Sequence, residues 1–342
     1  MDLGAPSVQT RSVARPEDSR ASGPPQKGDT DSRSRPPGLI LQAIIVLPHV
    51  LLLSAVLIWG WTFVATKIVV AEIGPVEVFA LRLAIGLPFL GCVLLVKRVP
   101  FGFTRADARP LALGAAIFAL HFLVQITGLQ ITTATNTAWI ITITPLVIAV
   151  LSVVYLGERI GWNGVVGIGI ATTGILLLVS RGRVTDLSWL RSTGDWLALA
   201  SAHTWAFFTV VTRDLVRRRH PLAVTFAVLL AAMAITAPLY LAVGDTDAVL
   251  ALSPRAIAAV FYLAIPGTAL AHWFWQEGVA ALGGARSGLY LYLEPLATVG
   301  LAVPLLGEPF GPFIALGGGL VLAGVWLGQR EAPRPAKAAE GV

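Results

Sequence analysis

The sequence predicts an all-α integral membrane protein with ten transmembrane helices, arranged as two inverted five-helix repeats. Three observations lead there. Hydrophobic residues make up 56% of the 342 and charged residues only 13%, with a mean hydropathy of +0.76, well above a soluble domain. Apolar runs recur from about residue 39 to residue 328, each of roughly 18–25 residues, enough at about 1.5 Å per residue to cross a ~30 Å hydrocarbon layer. The second half of the chain also repeats the first.

The ten runs lie at about 46–70, 75–96, 109–128, 133–156, 161–180, 194–214, 221–243, 256–278, 285–306 and 310–328. Their connectors are short, so helices satisfy the backbone polar groups inside the bilayer. None of the runs shows the alternating polarity of a membrane β-barrel. Residues 1–38, rich in Pro, Ser, Gly and charge, read as a disordered tail without the basic-then-apolar form of a cleaved signal peptide. The domains expected are that tail, a first repeat over 39–180, a second over 194–328, and a short tail over 329–342.

A net charge of +6 in a soluble chain would suggest nucleic acid, but these charges sit mostly between and outside the spans. They report orientation instead, and no nucleic-acid partner is expected. With the N-terminus inside, eighteen of the 25 lysines and arginines are cytoplasmic. Four (Arg181, Arg183, Arg191 and Arg255) lie outside, and three (Lys67, Arg82 and Arg213) fall within spans. The distribution puts both termini in the cytoplasm of a cell whose inner or plasma membrane holds the chain. The single cysteine, Cys92, allows no intrachain disulfide and no cysteine metal cluster.

The repeat is read directly. At an offset of 150, Pro145 meets Pro295, Leu156-Gly157-Glu158 meets Leu306-Gly307-Glu308, and Gly161, Gly167, Gly169 and Gly174 meet Gly311, Gly317, Gly319 and Gly324. At an offset of 146, WGWTFVATKIVV (59–70) resembles WAFFTVVTRDLV (205–216). Five spans per copy is an odd number, so the second copy is inverted, a sign of alternating access. The paired LGE signatures, the prolines before them, the glycine-rich fifth and tenth spans and ALRLAIG (80–86) together resemble the drug/metabolite transporter superfamily, EamA-type. The likeness covers about residues 46–328. It implies a ten-helix fold with cytoplasmic termini, secondary transport of small metabolites, often outward, and a central cavity lined by the first four helices of each repeat.

Polar residues inside the spans nominate the site, because a charge at a helix centre costs roughly 2.5–3.5 kcal/mol on insertion scales. Glu294 either binds a cationic group or carries a proton in a cavity, or else forms a structural ion pair with Arg82 or Lys67. Arg82 is expected to pair with Glu294 or Glu77, or to meet an anionic part of a solute. Lys67 and its repeat mate Arg213 read as gate or anchor residues. Pro145 and Pro295 are expected to kink their helices and free the carbonyls of Ile141 and Leu291. His121 and Gln125 share a helix face, as do His272 and Gln276, and they either line a cavity or bond between helices. Four-residue spacing with Gln as the second member makes a poor metal site, and none is expected. Asn136 opens the fourth span beside Thr133, Thr135 and Thr137, as cavity mouth or cap. Trp59, Trp61, Trp205, Trp273 and Trp275 are the aromatic candidates, read first as interface anchors where they stand near span ends and otherwise as cavity residues that face a cation, Trp59 foremost. Glu158 and Glu308 read as turn or cap residues. The small faces at Gly167/Ala171, Ala315/Gly319/Ala323 and Gly324/Gly328 read as packing or homodimer surfaces.

The function expected is secondary transport of a small metabolite, amino acid or drug-like solute, outward, with no cofactor beyond a coupled proton. No Walker motif is present, and no nucleophile–base pair stands at a spacing that suits an enzyme. A membrane sensor or scaffold without solute flux is the rival class.

Overall fold

Proline, glycine and capping side chains decide where the apolar runs become helices. The structure, a computed structural model, describes residues 37–180, 192–298, 300 and 312–330. Among them every regular element is helical. The order is α1 (Pro37–Val69), α2 (Pro75–Val96), α3 (Arg105–Ile131), α4 (Ala134–Ile140), α5 (Thr144–Leu156), α6 (Trp162–Ser180), α7 (Thr193–Arg218), α8 (Pro221–Val243), α9 (Thr246–Leu250), α10 (Pro254–Ala264), α11 (Ala271–Leu282), α12 (Gly284–Gly288) and α13 (Pro312–Gln329).

Pro75, Pro221 and Pro254 open their helices, where a missing N–H costs nothing. α3 begins four residues before the predicted run because Asp107 accepts hydrogen bonds from the Thr104 N–H and hydroxyl, each at 2.9 Å. Ser192 and Asp195 form the equivalent box at the start of α7. Gly157, at φ 62°, ends α5 in the left-handed conformation a glycine adopts freely.

Among the described residues, six helical stretches are long and apolar enough to cross a membrane: Val46–Val69, Pro75–Val96, Arg105–Ile131, Asn136–Leu156, Pro221–Val243 and Pro254–Leu282. Trp162–Leu177 and Ala315–Gln329 are apolar but shorter. The ninth predicted run, 285–306, is helical as far as residue 298. Residue 299 and residues 301–306 of it lie outside the described residues, with the rest of the second LGE, Glu308 and Gly311. So do residues 1–36, the connector 181–191 with Arg181, Arg183 and Arg191, and residues 331–342 with Arg334 and Lys337.

Three predicted spans are not uniform α-helices. The fourth runs through α4, a 3₁₀ turn at Ile141–Ile143, and α5. The ninth runs through α12, a 3₁₀ segment at Leu289–Leu293, and helical residues 294–298. The eighth is interrupted between α10 and α11 by a π turn, Ile265–Leu270, that begins beside Pro266. A π turn adds one residue to a helix, which is the size of the displacement of His272 from the 150 offset.

Residues 42–342 form one compact unit; of the other, Met1–Leu41, only the opening of α1 is described. The core of the larger unit is built on Leu52, Phe79, Phe118, Phe208 and Trp275, all fully buried. α6 lies against α13 at glycine contacts so close that a Cβ on Gly167 would fall 2.6 Å from the Gly324 carbonyl. The small faces expected to pack or dimerise are thus occupied, at Gly167, Ala171 and Gly324, by a contact within the chain.

Candidate functional site

The matched breaks in the fourth and ninth spans bring the site together. Thr144 and Glu294 occupy the same position in the two repeats, each directly after a 3₁₀ turn and directly before a proline. The proline ring removes the N–H that would continue α bonding, and the chain tightens by one residue instead. The Thr144 N–H bonds to the Ile141 carbonyl, and the Glu294 N–H to the Leu291 carbonyl. This corrects the sequence expectation: the carbonyls of Ile141 and Leu291 are not left free by Pro145 and Pro295.

Thr144 and Glu294 both line a small buried cavity of about 50 Å³, room for a few waters. α1 supplies Trp59, Thr62 and Phe63 to its wall, α2 supplies Arg82, and α3 supplies His121, Phe122 and Gln125. α7 adds Ala202 and Trp205, and α11 adds His272. Gly60 lets the ninth span close on α1, since a Cβ there would fall 2.8 Å from the Glu294 carbonyl and from Ala297. The Thr298 hydroxyl ties the same pair of segments by donating to the Gly60 carbonyl at 2.8 Å.

Glu294 is only 6% exposed, and among the described residues no hydrogen bond or ion pair reaches its carboxylate. Arg82, 3% exposed, forms none of the ion pairs the sequence suggested. Its Nε donates to the Thr268 hydroxyl at 2.9 Å, and its guanidinium lies 4.4 Å from the centre of the Phe122 ring. Glu77 instead accepts from the Asp245 backbone N–H. The π turn holds two of the cavity residues in place: Thr268 takes Arg82, and the Gly267 carbonyl accepts from the Trp59 indole at 3.1 Å.

Trp59, Trp205 and His272 form an aromatic wall, with ring centres 5.1 Å apart for Trp59–Trp205 and for Trp59–His272. His121 packs on Trp205 at 5.1 Å and is fixed by the Ser201 carbonyl at 2.9 Å. His272 Nδ1 bonds to the Thr268 carbonyl, leaving Nε2 buried without a partner among the described residues. Gln125 makes no side-chain hydrogen bond among the described residues and faces the cavity.

Six of the nine sequence candidates therefore meet here: Glu294, Arg82, His121, Gln125, His272 and Trp59. Three stand elsewhere. Lys67 donates to the Leu129 carbonyl at 2.6 Å, tying the end of α1 to the end of α3. Asn136 donates to Asp195 Oδ1 at 2.5 Å, in a joint with Thr132 between α4 and α7. Gln276 is buried beside Thr212, with its Oε1 unpartnered. Thr144 is a site residue that sequence reasoning left out, although the offset of 150 from Glu294 pointed to it. Trp205, one of the aromatic candidates and the repeat mate of Trp59 at the offset of 146, joins it at the cavity.

Apolar helices of bilayer-crossing length around a buried polar cavity define a multi-pass membrane protein. The chain belongs to the EamA-like transporter family, whose sequence profile matches it twice, over residues 46–180 and 192–328. It is 29% identical over 283 residues to an uncharacterized transporter of Archaeoglobus fulgidus, an alignment that covers 82% of this chain and 96% of that protein. It is 27% identical over 284 residues to a protein of Streptantibioticus cattleyicolor named a probable terminal-alkyne amino-acid exporter, covering 82% and 92%. A solved crystal structure shares the fold at a TM-score of 0.66 and 19% identity, covering 82% of this chain and 95% of that one. The protein is thus a transporter and not an enzyme.

Proposed function

We propose that this protein is a secondary transporter that exports a small metabolite, amino acid or drug-like solute by alternating access. The ten spans form two inverted repeats, 39–180 and 194–328. The end of the bundle rich in arginine faces the cytoplasm of the inner or plasma membrane, with both termini, as the charge bias between loops implies. Glu294 is the group that takes a cationic part of the solute or a coupled proton.

One observation carries this reading: a buried carboxylate without a partner among the described residues stands at the break of one repeat, in a cavity that also meets the break of the other. A buried charge of that kind is tolerated when a proton or a cationic group neutralises it. The aromatic wall suits the same cation, since indole faces attract ammonium groups. Inverted repeats that meet at a cavity supply the two-sided access, because exchanging their conformations moves the opening from one face to the other. The exporter name of the Streptantibioticus relative supports an amino acid as the first solute class to try.

The test is counterflow of labelled solutes into liposomes that hold the purified protein, across a panel of amino acids, amines and organic acids. Saturable uptake of at least one solute, absent from empty liposomes, is expected. Folded protein that moves none of the panel but retains a membrane partner through purification would favour the scaffold class instead.

A further inference from the structure

A second cavity, larger than the central one, lies apart from it. It measures about 700 Å³ and lies where the turn after α5 meets the start of α6, the end of α7, the α11–α12 junction and the end of α13. Four arginines line it (Arg159, Arg213, Arg217 and Arg286) against one carboxylate, Glu158. Glu158 is already committed: it accepts from Arg213 Nε at 3.0 Å and from the N–H groups of Gly284 and Ala285 at 3.2 and 3.1 Å. Arg213 also holds Asp214 at 2.7 Å. Arg159 and Arg217 are exposed and make no hydrogen bond or ion pair among the described residues. Among the described residues the cavity thus carries an excess of positive charge.

Its other walls are apolar. Val153 and Val165 are 44% and 49% exposed on helices of an integral membrane protein, and Ile168 and Leu289 continue the surface deeper. Two exposed aromatic residues, Tyr155 and Trp162, flank Arg159 on either side of the α5–α6 turn. Aromatic side chains of this kind mark the headgroup level of a bilayer, so the arginines stand at the depth of lipid phosphates and the valines at the depth of acyl chains.

We propose that this cavity is a binding site for an anionic phospholipid, with its phosphate held by Arg159 and Arg217 and its upper acyl chain laid along Val153 and Val165. Basic pockets between helices take anionic headgroups, and each basic residue near the surface contributes enough to change the affinity about fivefold. Charge alone would serve a free phosphate ion as well. The apolar wall, contiguous with the arginines and edged by the exposed Val153 and Val165, is what commits the site to a lipid. The proposal does not rest on the transport reading.

The test uses the full chain in a neutral detergent and counts bound lipid by native mass spectrometry. Phosphatidylglycerol is titrated against phosphatidylcholine of the same chains, with and without millimolar inorganic phosphate. The expected result is retention of phosphatidylglycerol at roughly tenfold or more lower concentration than phosphatidylcholine, little changed by phosphate. That preference should be lost in Arg159→Gln/Arg217→Gln, and kept in Arg105→Gln/Arg109→Gln, which removes equal charge from the exposed start of α3. Equal binding of the two lipids, equal loss in the control variant, or displacement of the lipid by inorganic phosphate would each overturn the proposal. Both arginines of the test variant are exposed, and an unchanged melting temperature without lipid verifies its folding.

Discussion

The breaks at 141–145 and 291–295 share a backbone and differ in chemistry. Each is a 3₁₀ turn that ends two residues before a proline, at the same register of its repeat. Thr144 completes one and Glu294 the other, both 6% exposed or less and both on the same cavity. The two repeats thus hold the same backbone device, and only the second adds to it a carboxylate that has no partner among the described residues.

The largest effect should come from making the two breaks chemically alike. Thr144→Glu adds a second buried carboxylate to the cavity, and an unpaired buried charge costs about 3–5 kcal/mol. Thermal unfolding in detergent at neutral pH should show that loss, whereas Thr144→Val should melt close to wild type. Glu294→Gln sharpens the comparison from the other side. It keeps the shape, and solute flux should fall by roughly a hundredfold, in line with about 2–5 kcal/mol for truncating one partner of a buried charge contact. Arg82→Met removes the bond to Thr268 and the stack on Phe122, and stability should drop by about 1–3 kcal/mol in denaturant titrations.

A smaller effect separates the two prolines. Pro→Ala restores an N–H at either break and permits ordinary α bonding, worth about 1 kcal/mol. Flux should fall severalfold in Pro295→Ala, which re-aims Glu294, and less in Pro145→Ala, which re-aims Thr144. The smallest effect lies away from both breaks. Glu72, in the α1–α2 connector, accepts from the Ser253 hydroxyl and N–H, which hold its carboxyl below the usual glutamate range. Its contribution is complete above the ordinary glutamate pKa and is lost as pH falls through the lowered one. Melting temperature against pH should show this acid-side component in wild type and not in Glu72→Gln.

Much of this architecture was legible in the sequence because membrane helices announce themselves by length and apolarity, and because a duplication checks itself. The prolines and the 150 offset located both breaks. What escaped has a common physical cause: polarity within a span does not say which way a side chain faces. Lys67 and Asn136 stand near helix ends, where open carbonyls and a neighbouring cap, Asp195, capture them. Arg82 looked like a partner for a carboxylate, yet an aromatic face and a hydroxyl hold its charge. The π turn was hidden inside an apolar run read as one continuous helix, and with it the groups that fix Trp59 and Arg82.

The most direct test of the central claim is proton movement during solute flux. Wild type and Glu294→Gln would be reconstituted side by side in liposomes that contain a pH-sensitive dye, with a solute known to be transported by wild type. The account predicts that solute and proton signals appear together in wild type and vanish together in the variant. A variant that moves solute and protons as wild type does would make Glu294 a structural residue and contradict the claim.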